Sequence, residues 1–207
     1  MTMVVEAEDK ERALSKTEPV SALNLKPLKD LDDDLKTRLA KTQERVGFVP
    51  NVLLAYAFDN TKLRAFLDMA NDLMLGDSEL SRLEREMIAT AVSAVNHCHY
   101  CLAAHGAAVR VRSGDPELGE LIAQNYRAAD LEPRQKAMLD FAVKLTERPD
   151  MIEDEDRQRL RDAGFSEREI WDIAAVAGFY NMSNRIASAA EIRPNREYHY
   201  MVRERED

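Results

Sequence analysis

Apolar positions recur along this chain at intervals of three and four residues, the spacing that lines one face of an α-helix. No stretch alternates at the period of two that a half-buried strand requires. Leu31, Leu35 and Leu39 form such a stripe over 30–46, behind the acids Asp32, Asp33 and Asp34, whose charge suits a helix N-terminus. Gly47-Phe48-Val49-Pro50-Asn51 breaks the pattern. A second stretch starts near Val52, is interrupted at Asp59-Asn60, and resumes through Leu63, Phe66, Leu67, Ala70 and Leu73 until Gly76-Asp77. The strongest stripe follows, Leu80, Leu83, Met87, Ala91 and Val95, with Ser78 or Ser81 as its cap and Asn96 as its stop. From Cys101 to Arg110 alanines and Gly106 dominate, giving a thin helix suited to close packing on a neighbour, and Ser113-Gly114-Asp115-Pro116 ends it. Further helices are predicted over 117–126, 133–146, 153–162 and 167–190.

About eight helices account for the chain, so the predicted class is all-α. The expected organisation is a mobile polar arm over 1–22, whose few apolar residues are available to dock on a neighbouring subunit, one helical domain over 23–192, and a C-terminal tail over 193–207. Leu80, Met87, Ala91 and Val92 are echoed 51 positions later by Leu131, Met138, Ala142 and Val143, which hints at a duplicated helical unit whose second copy lacks cysteine.

Composition narrows the function. With 207 residues the chain has room for one domain or two small ones, and seven Gly and seven Pro are few for a protein of closely spaced strands. Acids outnumber Lys plus Arg 38 to 29, and the net charge of −9 argues against a phosphate-binding face for nucleic acid and against acidic lipid surfaces. Every apolar run is broken well short of the ~20 residues that span a bilayer. The first ten residues carry acids where a signal peptide carries a basic start and an apolar core, so the expected compartment is the cytoplasm.

Cys98 and Cys101 are the only cysteines, and in a reducing compartment so closely spaced a pair points to redox chemistry or metal binding. The motif core lies within 80–112 and contains Glu86, Cys98, Cys101 and His105 in the spacing E-x11-C-x2-C-x3-H. On a helix the cysteines sit at i and i+3, within reach of a disulfide, and His105 lies one turn beyond Cys101, where an imidazole raises the thiolate fraction. A straight helix would place Glu86 roughly 18 Å from Cys98, so the chain must turn back near Asn96-His97 and lay the cysteine helix against the Ala89-Thr90-Ser93 side of its predecessor. Periodicity alone does not choose between Glu84 and Glu86 as proton acceptor. The helix N-terminus favours Cys98 as thiolate, whereas His105 favours Cys101.

The motif, together with the run Ala91-Val92-Ser93-Ala94-Val95-Asn96, resembles the alkyl hydroperoxidase D family of the carboxymuconolactone decarboxylase superfamily. The text from Gly47-Phe48-Val49-Pro50-Asn51 to Phe179-Tyr180-Asn181-Met182-Ser183-Asn184-Arg185 is similar to its peroxidase-related subgroup, and the resemblance spans about residues 45 to 190. Where some members carry a His directly before the second cysteine this chain has Tyr100, with His99 one position earlier. The resemblance implies a thiol-dependent peroxidase in which Cys101 attacks the hydroperoxide, Cys98 resolves it, and Glu86 and His105 relay protons. It also implies a homo-oligomer (dimer, trimer or hexamer), an external thiol or dithiol reductant, and no metal, haem or flavin.

Other readings compete. Zinc on Cys98, Cys101, His105 and either His97 or His99 requires four ligands from nearly one helix to close a tetrahedron. A c-type haem needs His where Leu102 stands, and a thioredoxin fold needs flanking strands. A thiol-disulfide adaptor and an oligomeric redox sensor use the same dithiol without peroxide turnover. Tyr180, Asn181, Asn184 and Arg185 lie in an otherwise apolar helix, where they line a pocket or satisfy buried polar groups; Tyr56, Phe58, Phe66 and Trp171 are expected in the core or a subunit contact.

Overall fold

The computed structural model describes residues 19–203. Nine α-helices and no strand are found among them: α1 (Asp33–Val46), α2 (Asn51–Tyr56), α3 (Asn60–Leu75), α4 (Arg82–Val95), α5 (His99–Ser113), α6 (Leu118–Asn125), α7 (Pro133–Glu147), α8 (Asp154–Asp162) and α9 (Glu167–Ala189). Three short 3-10 turns accompany them. The all-α class and the helix positions follow the sequence pattern, and the count of nine arises because Asp59 caps α3 through the Lys62 amide at 2.9 Å, dividing the second stretch into α2 and α3.

Helix α4 runs through the middle, with every residue from Glu84 to Ser93 buried, and packs on α5, α6, α7 and α9. Ser81, rather than Ser78, is its cap: its hydroxyl accepts from the Glu84 amide at 3.1 Å while Glu84 Oε2 accepts from the Ser81 amide at 2.8 Å. That capping box occupies Glu84 and leaves Glu86 free for other partners. Ser78 instead donates to Asp172 at the start of α9. The echoed residues, on or just before α4 and α7, all face the core, with Val143 only partly buried. Two packed helices that offer apolar stripes to one core produce such an echo without gene duplication.

The turn between α4 and α5 is made as its chemistry demands. The His97 amide bonds to Ala94 O and the Cys98 amide to Ser93 O, a Schellman closure that places His97 in the left-handed region at φ 52°. Helix α5 then runs back along α4, as the spacing required, with Cys98 as its N-cap. Its thin face meets α6 at Gly106 and Gly119, where a methyl group on Gly119 would overlap the Gly106 carbonyl.

The described part of the expected N-terminal arm is tied to its own chain: Ala22 N donates to Ala190 O, and Val20 O accepts from the Arg193 amide. Residues 1–18 and 204–207 lie outside the described residues. The C-terminal segment folds back over α5. Asn195 exchanges hydrogen bonds with the Asn51 amide and Val49 O, and the buried Arg110 guanidinium donates to Tyr198 O and Met201 O. No helix among the described residues is long and apolar enough to cross a membrane.

Candidate dithiol site

Reversal of the chain at His97 brings Glu86, on α4, beside His105, on α5, with Nδ1 of the imidazole 2.7 Å from Glu86 Oε2. Arg112, two turns further along α5, approaches Glu86 Oε1 at 3.6 Å. The Tyr180 ring stands edge-on to His105, with centroids 4.4 Å apart, and holds the imidazole plane. Glu86 is 6% exposed, so its carboxylate is desolvated and depends on these partners. Burial raises the Tyr180 phenol far above its usual range, and it stays neutral.

Cys98 and Cys101 are both reduced and buried. The Cys101 thiol donates to Cys98, and this bond is the main reason that the Cys98 thiol is pulled down to about 6. Burial opposes the shift, while the Cys101 amide and the Ser188 and Asn184 side chains add to it. Cys101 is pushed well up by the proton it shares with Cys98, by burial and by the neighbouring negative charge. The resting pair therefore holds one proton and one charge, with the charge on the N-cap sulfur, where helix dipole and amide both favour it.

Asn184, 1% exposed, organises this pair. It donates to Ser93 Oγ at 2.9 Å, accepts from Asn96 at 3.0 Å, and hydrogen bonds to both cysteines. Asn181 accepts from Asn96 at 3.0 Å and donates to Thr146, and Arg185 donates to Asn181. Of the four polar residues on α9, Asn184 thus touches the sulfurs, Tyr180 touches His105, and the other two brace the ladder.

The two sulfurs open on different spaces. Cys101 lines a cavity of about 480 Å³ together with Glu86, His105 and Tyr180. Cys98 lines a separate one of about 550 Å³ with His97, His99, Ser188 and Pro194. Tyr100 belongs to both walls: its hydroxyl accepts from the Val52 amide at 3.1 Å and its ring meets Tyr198 edge-on. A larger open groove of about 1080 Å³ along α4, α6 and α7 contains neither cysteine. No group of three or more His, Cys, Asp or Glu side chains converges as a metal site among the described residues.

Comparison with known proteins places this arrangement. Residues 61–130, which contain the whole motif, match the carboxymuconolactone decarboxylase family. An uncharacterized peroxidase-related protein from Silicibacter sp. TM1040 is 54% identical over 91% of this chain and 99% of its own, with a TM-score of 0.87. The chain belongs to the AhpD-like carboxymuconolactone decarboxylase superfamily. Another AhpD-like relative, the alkylhydroperoxidase AhpD core protein from Ralstonia eutropha JMP134, also described as peroxidase-related and uncharacterized, is 42% identical over 90% of this chain and 98% of its own, with a TM-score of 0.86. The debrominase Bmp8, 19% identical over 87% of this chain and 96% of its own with a TM-score of 0.73, shares the AhpD-like fold. No curated protein matches the chain.

Of the four predicted residues, Glu86, Cys101 and His105 line one cavity and Cys98 hydrogen bonds to Cys101 from the neighbouring one, with Glu86 and not Glu84 at the imidazole. His99 lies on the Cys98 side only, among the lining of that space of about 550 Å³. Sequence reasoning missed Arg112, Ser188 and Tyr198, and noted Tyr100 only as a departure from the family pattern. Arg112, seven residues beyond His105, was legible as the next residue on the same helix face; Tyr198 sits in a polar tail with no periodicity to draw it to the site.

Proposed function

We propose that this protein is a thiol-dependent peroxidase that reduces hydroperoxides through a Cys98–Cys101 dithiol/disulfide cycle. The observation that carries the reading is that Cys101, His105 and Glu86 line one cavity, with the imidazole fixed on the carboxylate at 2.7 Å. The shared proton moves along the S–H···S bond to Cys98, which leaves the Cys101 thiolate facing the cavity. Its sulfur attacks the peroxide oxygen distal to the organic group and the O–O bond breaks. Cys101 becomes a sulfenic acid, and the leaving alkoxide takes a proton from the His105–Glu86 pair and departs as alcohol. Cys98 then attacks the Cys101 sulfur, a disulfide forms, and the hydroxyl leaves as water. Two external thiols, or one dithiol, reduce the disulfide and are oxidised in turn. The chemistry asks for no metal, haem or flavin.

The test is chemical trapping. Cys98→Ser protein treated with an organic hydroperoxide and a sulfenic-acid reagent is expected to carry the adduct on Cys101 by mass spectrometry. An adduct absent from Cys101 would contradict the assignment.

A second reading rests on one observation: the charge lies on Cys98, at the helix N-cap and on its own cavity. In that reading Cys98 exchanges disulfides with a partner and the protein is an adaptor that never meets peroxide. A homo-oligomer is part of either reading, and the exposed face of α9 bearing Trp171, Met182 and Ile186 supports it, since Trp171 is 70% exposed. The cytoplasm is the proposed compartment, because a dithiol cycle depends on a reducing pool.

A further inference from the structure

The Cys101 cavity is apolar inside and cationic at its rim. Leu53, Phe66, Leu67, Met74 and Phe179 are buried along its walls. Arg45 from the end of α1, Arg82 from the start of α4 and Arg112 from α5 also line it, and all three are exposed. Arg112 has Glu86 as a counterion. Arg45 and Arg82 form no ion pair among the described residues, and the only hydrogen bond of Arg82 goes to Leu75 O at 3.5 Å. In a chain with nine more negative than positive charges, these two guanidinium groups, from different helices and without an ion pair among the described residues, both line the cavity that holds Cys101. Guanidinium groups pair with carboxylates in fork geometry, and an apolar wall takes a hydrocarbon body.

We propose that this cavity binds amphipathic organic carboxylates, with the hydrocarbon against Phe66 and Phe179 and the carboxylate at Arg45 and Arg82. Given the peroxidase reading on which it rests, the substrate class is that of carboxylated alkyl hydroperoxides, such as hydroperoxy fatty acids.

Binding and turnover are tested separately. Calorimetric titration of the full-length reduced protein with octanoate and with octanol at low salt is expected to favour octanoate by about tenfold, a difference of about 1.4 kcal/mol. The preference should fall toward unity at high salt and in the Arg45→Gln/Arg82→Gln protein, while the exposed control Arg148→Gln retains it. Bound octanoate should also protect Cys101 from a neutral alkylating reagent. Equal binding of the two probes, or a preference that survives in the double variant, would overturn the inference. In turnover, a hydroperoxy fatty acid is expected to outpace its methyl ester by the same ratio. If neither outpaces free thiol while octanoate is still preferred, the peroxidase reading fails and the carboxylate site stands.

Discussion

The charge of the reduced dithiol lies on Cys98 because three donors converge there, the Cys101 thiol first, and the Asn184 amide steadies both sulfurs. The pair should therefore titrate near 6, well below the ~8.5 of a free thiol, as ultraviolet thiolate absorbance against pH would show. Above that pH one thiolate is present, and reactivity is lost as pH falls through it. Asn184→Ala removes a donor and should move the midpoint upward; an unchanged midpoint would mean that Asn184 only packs. Glu86→Gln retains a hydrogen-bonding group at His105 but removes the carboxylate of the proposed proton relay, and should slow peroxide reduction by about 10²- to 10³-fold with the fold intact by circular dichroism. These residues differ in how far the sequence exposes them. The E-x11-C-x2-C-x3-H spacing delivers Glu86, both cysteines and His105, because helix period and one reversal convert spacing into contact. Asn184 and Tyr198 come from segments more than 80 positions away, and nothing local in the sequence says that Asn184 reaches the sulfurs or that Tyr198 packs on Tyr100.

Helix boundaries were legible where capping chemistry marks them. Ser81 with Glu84 and Ser166 with Glu169 close capping boxes, and Pro133 opens α7. The choice between Ser78 and Ser81 was not, since Ser78 is claimed by Asp172 across the core. At the reversal, His97 occupies a left-handed position that glycine fills without steric cost. His97→Gly is expected to stabilise the protein by up to about 1 kcal/mol in denaturant titrations, and a loss of stability would show that the imidazole makes a contact that matters more than its backbone. Where α5 crosses α6 the reverse holds. Gly119→Ala places a methyl on the Gly106 carbonyl and should cost about 1–3 kcal/mol, by the same measurement. The sequence signalled this crossing only as a thin alanine face, since which neighbour it meets is a tertiary fact.

At the scale of the whole molecule, a central helix buried on all sides carries the proton relay, and the dithiol helix folds onto it so that one sulfur faces each of two cavities. The C-terminal segment completes the Cys101 cavity through Tyr198 and Met201, held by Arg110. The exposed Trp171 face of α9 is expected to be covered in solution, and light scattering should find an oligomer that Trp171→Glu weakens; a monomer at all concentrations would contradict it. The central claim is that peroxide meets Cys101. Stopped-flow oxidation of fully reduced protein by an organic hydroperoxide tests it most directly, with Cys101→Ser and Glu86→Gln proteins beside the wild type. The account predicts oxidation far faster than that of free thiol, abolished in Cys101→Ser and slowed in Glu86→Gln. Wild-type oxidation no faster than free thiol, with rapid disulfide exchange at Cys98, would contradict it and make the protein an adaptor.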